Sequence, residues 1–171
     1  MKTFLIVIIL FVLGGFILPN DYSTSKNLRI TAPASDIHSI VESMDTWEQW
    51  TVWEQANPPA GLEDPGQMQS GAGSSLYFEG RMLSGWFVIK SSSVSEGFYY
   101  DVMAADGSKA KGAVTYLDNG GVTNVNWTMA GNIENPIIIA PYLALLMDFI
   151  VGSALNQNLV NLKEQVKRGK S

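Results

Sequence analysis

With 171 residues, of which 46% are hydrophobic and 16% charged, the chain suits one ordinary domain with a sizeable core and a short appendage. Its formal charge of −5, with eleven basic residues scattered or C-terminal, argues against nucleic acid, which needs a Lys/Arg stripe. It has no cysteine and one histidine, His38. That inventory excludes disulfides, thiolate catalysis and cysteine metal sites, and neither a metal nor a cofactor is expected.

Residues 1–19 read as an N-terminal membrane anchor or signal segment. Residues 3–18 carry no charge, follow Met1-Lys2, and end at Pro19-Asn20-Asp21. Sixteen helical residues reach about 24 Å against a hydrocarbon core of about 30 Å, so the segment is short for a span and long for a signal-peptide core. The nearest small-residue pair that a signal peptidase would use, Ser23 and Ser25, lies beyond the proline, which favours an uncleaved anchor. Lys2 and the terminal amine then hold the amino end in the cytoplasm. The remainder is expected on the extracytoplasmic side, periplasmic or equivalent.

Residues 22–31 alternate as a first strand. Pro33 and Asp36 suit the opening turn of a helix whose apolar stripe is Ile37, Ile40, Val41 and Met44, with His38 off the stripe as an exposed or capping side chain. WEQWTVW (47–53) spaces three tryptophans by three, as along one side of a short helix, where burial as a lid or core plug competes with ligand contact. After the turn-rich 57–66, strands are predicted near 74–79, 82–92, 97–104, 110–118 and 121–130, joined by turns short enough for an antiparallel meander.

Charged residues mark the outward face of each strand. Glu79 out places Leu76 and Phe78 inward, and Lys90 out places Leu83, Phe87 and Ile89 inward. Asp101 out turns Phe98, Tyr100 and Val102 in, and Lys111 out turns Val114 and Tyr116 in. Asn124 and Asn126 out leave Val125, Trp127 and Met129 facing the core. Trp86 falls on the outer face, open to a membrane, a partner or a covering loop. The Asn126-Trp127-Thr128 sequon lies within a strand.

The apolar run 137–155 is broken by Pro141, Asp148 and Gly152 and continues with helical periodicity through Leu159, Leu162 and Val166. It reads as a long core-facing helix that must bury its stripe on the sheet. The fold class is therefore α+β, a curved antiparallel sheet wrapped around a long C-terminal helix, over 22–168.

Four strings in this order, LRITAP (28–33), WEQWTVW (47–53), VTNVNWTMAG (122–131) and MDFIVGSALNQNLVNLK (147–163), resemble the SRPBCC superfamily of START-like, polyketide-cyclase-like helix-grip proteins, in particular a branch with an N-terminal membrane helix. The resemblance implies a cavity between sheet and C-terminal helix for a hydrophobic small molecule, lipid-like or polyketide-like. Trp50, Trp53, Phe78, Phe87, Tyr100, Tyr116, Trp127 and Met129 are its candidate ligand-binding residues. The superfamily spans cyclases, lipid carriers, hormone receptors and co-chaperone-like modules, so the fold leaves function open.

Three readings follow. The first is a membrane-anchored binding module. The second is a cyclase or dehydratase, for which Asp101, Glu79 and His38 are the acid–base candidates; Asp101 and Glu79 point outward, and Tyr100 or Tyr116 would serve as weak acids. The third is an interaction platform at the membrane, carried by Trp86. No catalytic residue is assigned.

Overall fold

The computed structural model describes residues 2–66, 71–80, 84–105, 107–133, 136 and 138–169. The elements are α1 (Lys2–Ile17), β1 (Asp21–Ile30), α2 (Ala34–Glu42), a 3-10 helix (Met44–Gln49), β2 (Glu54–Gln55), β3 (Ser75–Glu79), β4 (Ser84–Ser93), β5 (Gly97–Ala104), β6 (Lys109–Asp118), β7 (Thr123–Asn132) and α3 (Ala140–Arg168). The seven strands form one antiparallel sheet in the order β1-β7-β6-β5-β4-β3-β2. Strands β2 to β7 are a meander of neighbours in sequence, and β1 closes onto β7 with Asp21 opposite Asn132 and Ile30 opposite Thr123. This is a START-like helix-grip fold, with α3 held along the inner face of the curled sheet.

Leu83 and part of the predicted 82–92 strand fall on residues outside those described. Strand β2 was not expected: its two residues pair with Glu79 and Phe78, too short a stretch to leave a periodic signal. The inward sets read from alternation otherwise match the buried face, with Phe78, Phe87, Phe98, Tyr100, Val102, Val114, Val125, Trp127 and Met129 all in the core. Strand β4 carries a register shift between Ile89 and Ser91. Before it the odd positions Phe87 and Ile89 face the core, and after it Ser92 lies opposite the inward Phe98, so the bulge turns the Ser92 hydroxyl inward.

Helix α3 is 29 residues long and buries Ala140, Ala144, Val151, Leu155, Leu159, Leu162 and Val166 on the sheet. Pro141 sits in its first turn, where a missing N–H forfeits no intrahelical bond, so this proline opens the helix. Among the described residues α3 alone is long and apolar enough to cross a membrane, yet its buried stripe is that of a core helix. Helix α1 is shorter and apolar on every side, and its residues are almost all exposed.

Helix α2 is rotated from its expected setting. Its buried residues are Ala34, Ile37, His38 and Val41, with Ile40 only partly buried. His38, expected on the surface, is therefore inside, because both ring nitrogens find polar partners from strands across the fold. The helix has no side-chain cap of its own at Pro33. Asp118, at the end of β6, supplies one: its Oδ2 accepts from the Ala34 N–H at 3.0 Å and its Oδ1 from the Gly121 N–H at 3.1 Å.

The Ala34 bond, followed by the Gly121 bond, holds the Asp118 carboxyl below the ordinary aspartate range. A carboxyl whose folded pKa is depressed stabilises the fold fully above its unfolded value, and that contribution is lost as pH falls through the folded value. Asp118→Asn is thus expected to lower the thermal midpoint of the full chain above about pH 5 and to make progressively less difference below the ordinary aspartate pKa of about 3.9. Melting curves of both proteins across pH 2–7 check this, and a constant gap across that range would mean that the charge contributes nothing.

Candidate functional site in the sheet–helix interior

The tryptophan segment does not form one helical side. The 3-10 helix ends at Gln49, so it includes Trp47 alone; Trp50 is its C-cap with φ −141°, and Trp53 lies in the bend just before β2. The break turns the three rings toward one another. Trp47 becomes the hub, with ring centroids 5.9 Å from Trp50, 6.1 Å from Trp53, 5.3 Å from Phe87, 5.6 Å from Phe98, 5.9 Å from Tyr100 and 5.9 Å from Trp127. Its indole N–H donates to the Val41 carbonyl at 2.8 Å, tying the hub to the end of α2.

Around this hub the structure gathers seven of the eight candidate residues. Trp50, Phe78, Phe87, Tyr100, Trp127 and Met129 are fully buried, and Trp53 is half-buried at the rim, stacked on Trp47 and 5.1 Å from Phe87. Tyr100 crosses the strand floor: its ring lies over Gly112, and its hydroxyl accepts from the Trp127 indole N–H at 2.8 Å. Burial pushes the Tyr100 and Tyr116 hydroxyls well above the usual tyrosine range, so each stays neutral and is a poorer acid than a solvated tyrosine. Trp47 was absent from the candidate set although it touches more of these rings than any member of it. Only the premature end of the 3-10 helix makes it central, and spacing by three did not announce that end.

The interior also holds donors without acceptors. Trp50 Nε1, Asn158 Nδ2 and the Thr24 hydroxyl, which faces Gly152 of α3, are buried and have no hydrogen-bond partner among the described residues; the same holds for Trp86 Nε1 on the other face of the sheet. Asn158, on the core side of α3, uses its Oδ1 to accept from the Val52 N–H at 2.8 Å, which fixes the segment between Trp50 and Trp53 to the helix. A buried unpaired donor costs about 1–3 kcal/mol, so three in one interior mark a place where an acceptor would be bound favourably.

Tyr116, the eighth candidate, lies apart, in a polar set with His38. His38 Nδ1 is 3.2 Å from the Tyr116 hydroxyl, and Nε2 is 3.2 Å from Ser92 Oγ and 3.4 Å from Glu42 Oε2. Serine and carboxylate share one ring nitrogen here. A Ser-His-acid relay needs them on opposite nitrogens, so this arrangement holds α2 against β4 and β6 without forming such a relay.

Trp86 is on the outer face, as alternation requires, but it is only 7% exposed. It pairs across the strands with Tyr77, their rings 5.3 Å apart edge to face. Of the readings open to Trp86 the covered one holds, with Tyr77 of the neighbouring strand against it and not a loop. The outer face instead carries a depression of about 690 Å³ over β1, β5, β6 and β7, rimmed by Asp21, Asp101, Lys109 and Lys111. No residue of α3 lines it, so it is separate from the aromatic interior.

The class these features define is a START-like helix-grip domain. The chain is similar to a START superfamily protein from Mycobacterium smegmatis at 14% identity and a TM-score of 0.61, covering 86% of this chain and 98% of that one. It is likewise similar to TTHA0849 from Thermus thermophilus, at 16% identity and a TM-score of 0.64 over 87% and 99%. With Ara h 8.0201 the identity is 8% and the TM-score 0.58, over 86% and 99%. Identities this low establish a shared fold alone. No protein-family model matches the chain, and no curated protein matches it in sequence.

Proposed function

We propose that this is a membrane-anchored binding module that takes a hydrophobic small molecule, lipid-like or polyketide-like, between the sheet and α3, with the domain on the extracytoplasmic side. The observation that carries the reading is the set of unpartnered buried donors, among them Trp50 Nε1 and Asn158 Nδ2, within an otherwise apolar interior. A few placed polar groups in an apolar enclosure is the pattern by which small hydrophobic ligands are oriented. The rings around Trp47 pack against one another, so entry between them requires one to move, and Trp53 at the rim is the member of that cluster that is only half-buried. The uncharged stretch 3–18 supports the anchor, and Lys2 at the start of α1 supports the orientation.

The test is native mass spectrometry with solvent extraction on the full chain released from membranes in mild detergent. A stoichiometric extracted amphiphile is expected, and Trp53→Ala is expected to lose that molecule faster at unchanged far-UV circular dichroism. A chain that carries nothing, and whose tryptophan fluorescence is unmoved by brominated fatty acids, would sink the proposal. The cyclase or dehydratase alternative draws on the His38–Tyr116 pair. Absence of turnover of any polyketide-type substrate would remove it, and turnover unchanged by both Tyr100→Phe and Tyr116→Phe would remove the tyrosines as its acids. The interaction-platform alternative loses Trp86 and retains the outer-face depression.

A further inference from the structure

The outer face of α3 changes character along its length. In its first turns the outward residues are apolar, with Leu145 67%, Leu146 55% and Phe149 77% exposed, and Ile139 just before the helix 43% exposed. Further on, the outward residues are Ser153, Asn156, Gln157, Glu164 and Lys167, with Val160, 41% exposed, the one large apolar residue among them. A helix that only packs on a sheet needs a polar outer face throughout. Residues 136–147 contain no charge, and the first, Asp148, comes where the apolar stretch is ending.

The apolar end is the end that meets α1. The Tyr142 ring stacks on Phe11 with centroids 4.4 Å apart, and its hydroxyl donates to the Phe11 carbonyl at 2.7 Å. Gly15 lies against Ile138 so closely that a Cβ there would come within 2.4 Å of the Ile138 carbonyl oxygen. Phe11 is six residues before the end of α1 at Ile17, or about 9 Å deeper along its axis. If α1 is in a bilayer, the side chain stacked on Phe11 is in it too. The Tyr142 hydroxyl is already paired with a backbone carbonyl, as a polar group in hydrocarbon must be.

We infer that the first turns of α3, residues 138–149, enter the outer leaflet beside α1, so that the phospholipid bilayer is the partner covering Ile139, Leu145, Leu146 and Phe149. The depth agrees with the roughly 5–10 Å to which apolar helix faces sink at a membrane interface. Large contiguous apolar patches on a protein surface mark such contacts. The domain is then fixed to the membrane at two places, with the amino-terminal end of α3 against lipid and its carboxyl-terminal half in water. This inference rests on the membrane anchoring proposed above for α1.

The chain has no cysteine, so single cysteines can be introduced and spin-labelled in the full-length protein. Leu10→Cys reports on α1, Leu146→Cys and Phe149→Cys on the proposed face, and Gln157→Cys on water; all four positions are exposed, so the fold tolerates the label. In phosphatidylcholine–phosphatidylglycerol vesicles, the labels at positions 10, 146 and 149 are expected to collide with oxygen and to lose collisions with a water-soluble nickel chelate, while the label at 157 does the reverse. If position 10 is in lipid but 146 and 149 behave like 157, the inference falls and the anchor stands. If position 10 is also in water, both fall. Dipolar broadening at 146 and 149, with oxygen and nickel both excluded, would show a second copy on this face and overturn the inference.

Discussion

Trp47→Ala is expected to cost about 3–5 kcal/mol of unfolding free energy, the range for deleting a buried tryptophan from a close-packed core. Trp47 is 1% exposed and touches six aromatic rings, so the cavity would be bounded on every side by rigid side chains that close over it poorly. The Val41 carbonyl would also lose its indole donor. Against a typical total of about 5–15 kcal/mol, this single change removes a large share of the stability. Trp47→Phe keeps an aromatic ring and loses the N–H, and its cost is expected to be smaller. Denaturant titration followed by circular dichroism measures both. A Trp47→Ala cost under about 1 kcal/mol would show that the rings readily repack, as in a site that reshapes around a ligand.

The size of that effect bears on function. A hub that is rigid leaves ligand entry to the rim, where the half-buried Trp53 is held by ring contacts with Trp47, Phe87 and Trp127, by backbone bonds to the Thr51 hydroxyl, and by the Asn158 bond to the Val52 N–H. A soft hub would let the whole cluster rearrange. The measurement on Trp47 therefore separates two ways in which the same filled interior could take up a molecule.

Which side chains face the core was legible in the sequence wherever a charged residue marked the other face. Glu79, Asp101 and Lys111 each oriented their strand correctly, because a one-residue slip exchanges the two faces entirely. His38 was not legible. An apolar stripe omits a buried histidine whose partners, Tyr116 and Ser92, lie 78 and 54 residues away. For Trp86 the face was legible and the cover was not: Tyr77 lies opposite it, and the alternation of a single strand does not report pairing. Nor did the pattern report volume. It put aromatic residues on the inner face without telling whether they line a space or occupy it, and Trp47, outside the strands, is what occupies its centre.

Gly112→Ala is the second large effect. A Cβ at this position would lie 2.0 Å from Tyr100 Cζ and 2.3 Å from its hydroxyl oxygen, so the tyrosine ring has to leave its place on the strand floor. Overpacking of this kind costs about 1–3 kcal/mol. Moving the ring also withdraws the oxygen that accepts from the Trp127 N–H, and Trp127 is wholly buried. Stranding that donor adds about 1–3 kcal/mol. Tyr100→Phe alone isolates the second contribution, since it removes the acceptor and leaves the ring in place. A double-mutant cycle isolates the first. In a Tyr100→Leu background the alanine methyl meets no ring, so the Gly112→Ala penalty is expected to shrink markedly, the non-additivity of two residues in direct contact. Equal penalties in both backgrounds would mean that Gly112 is required for its backbone and not for the tyrosine that lies over it.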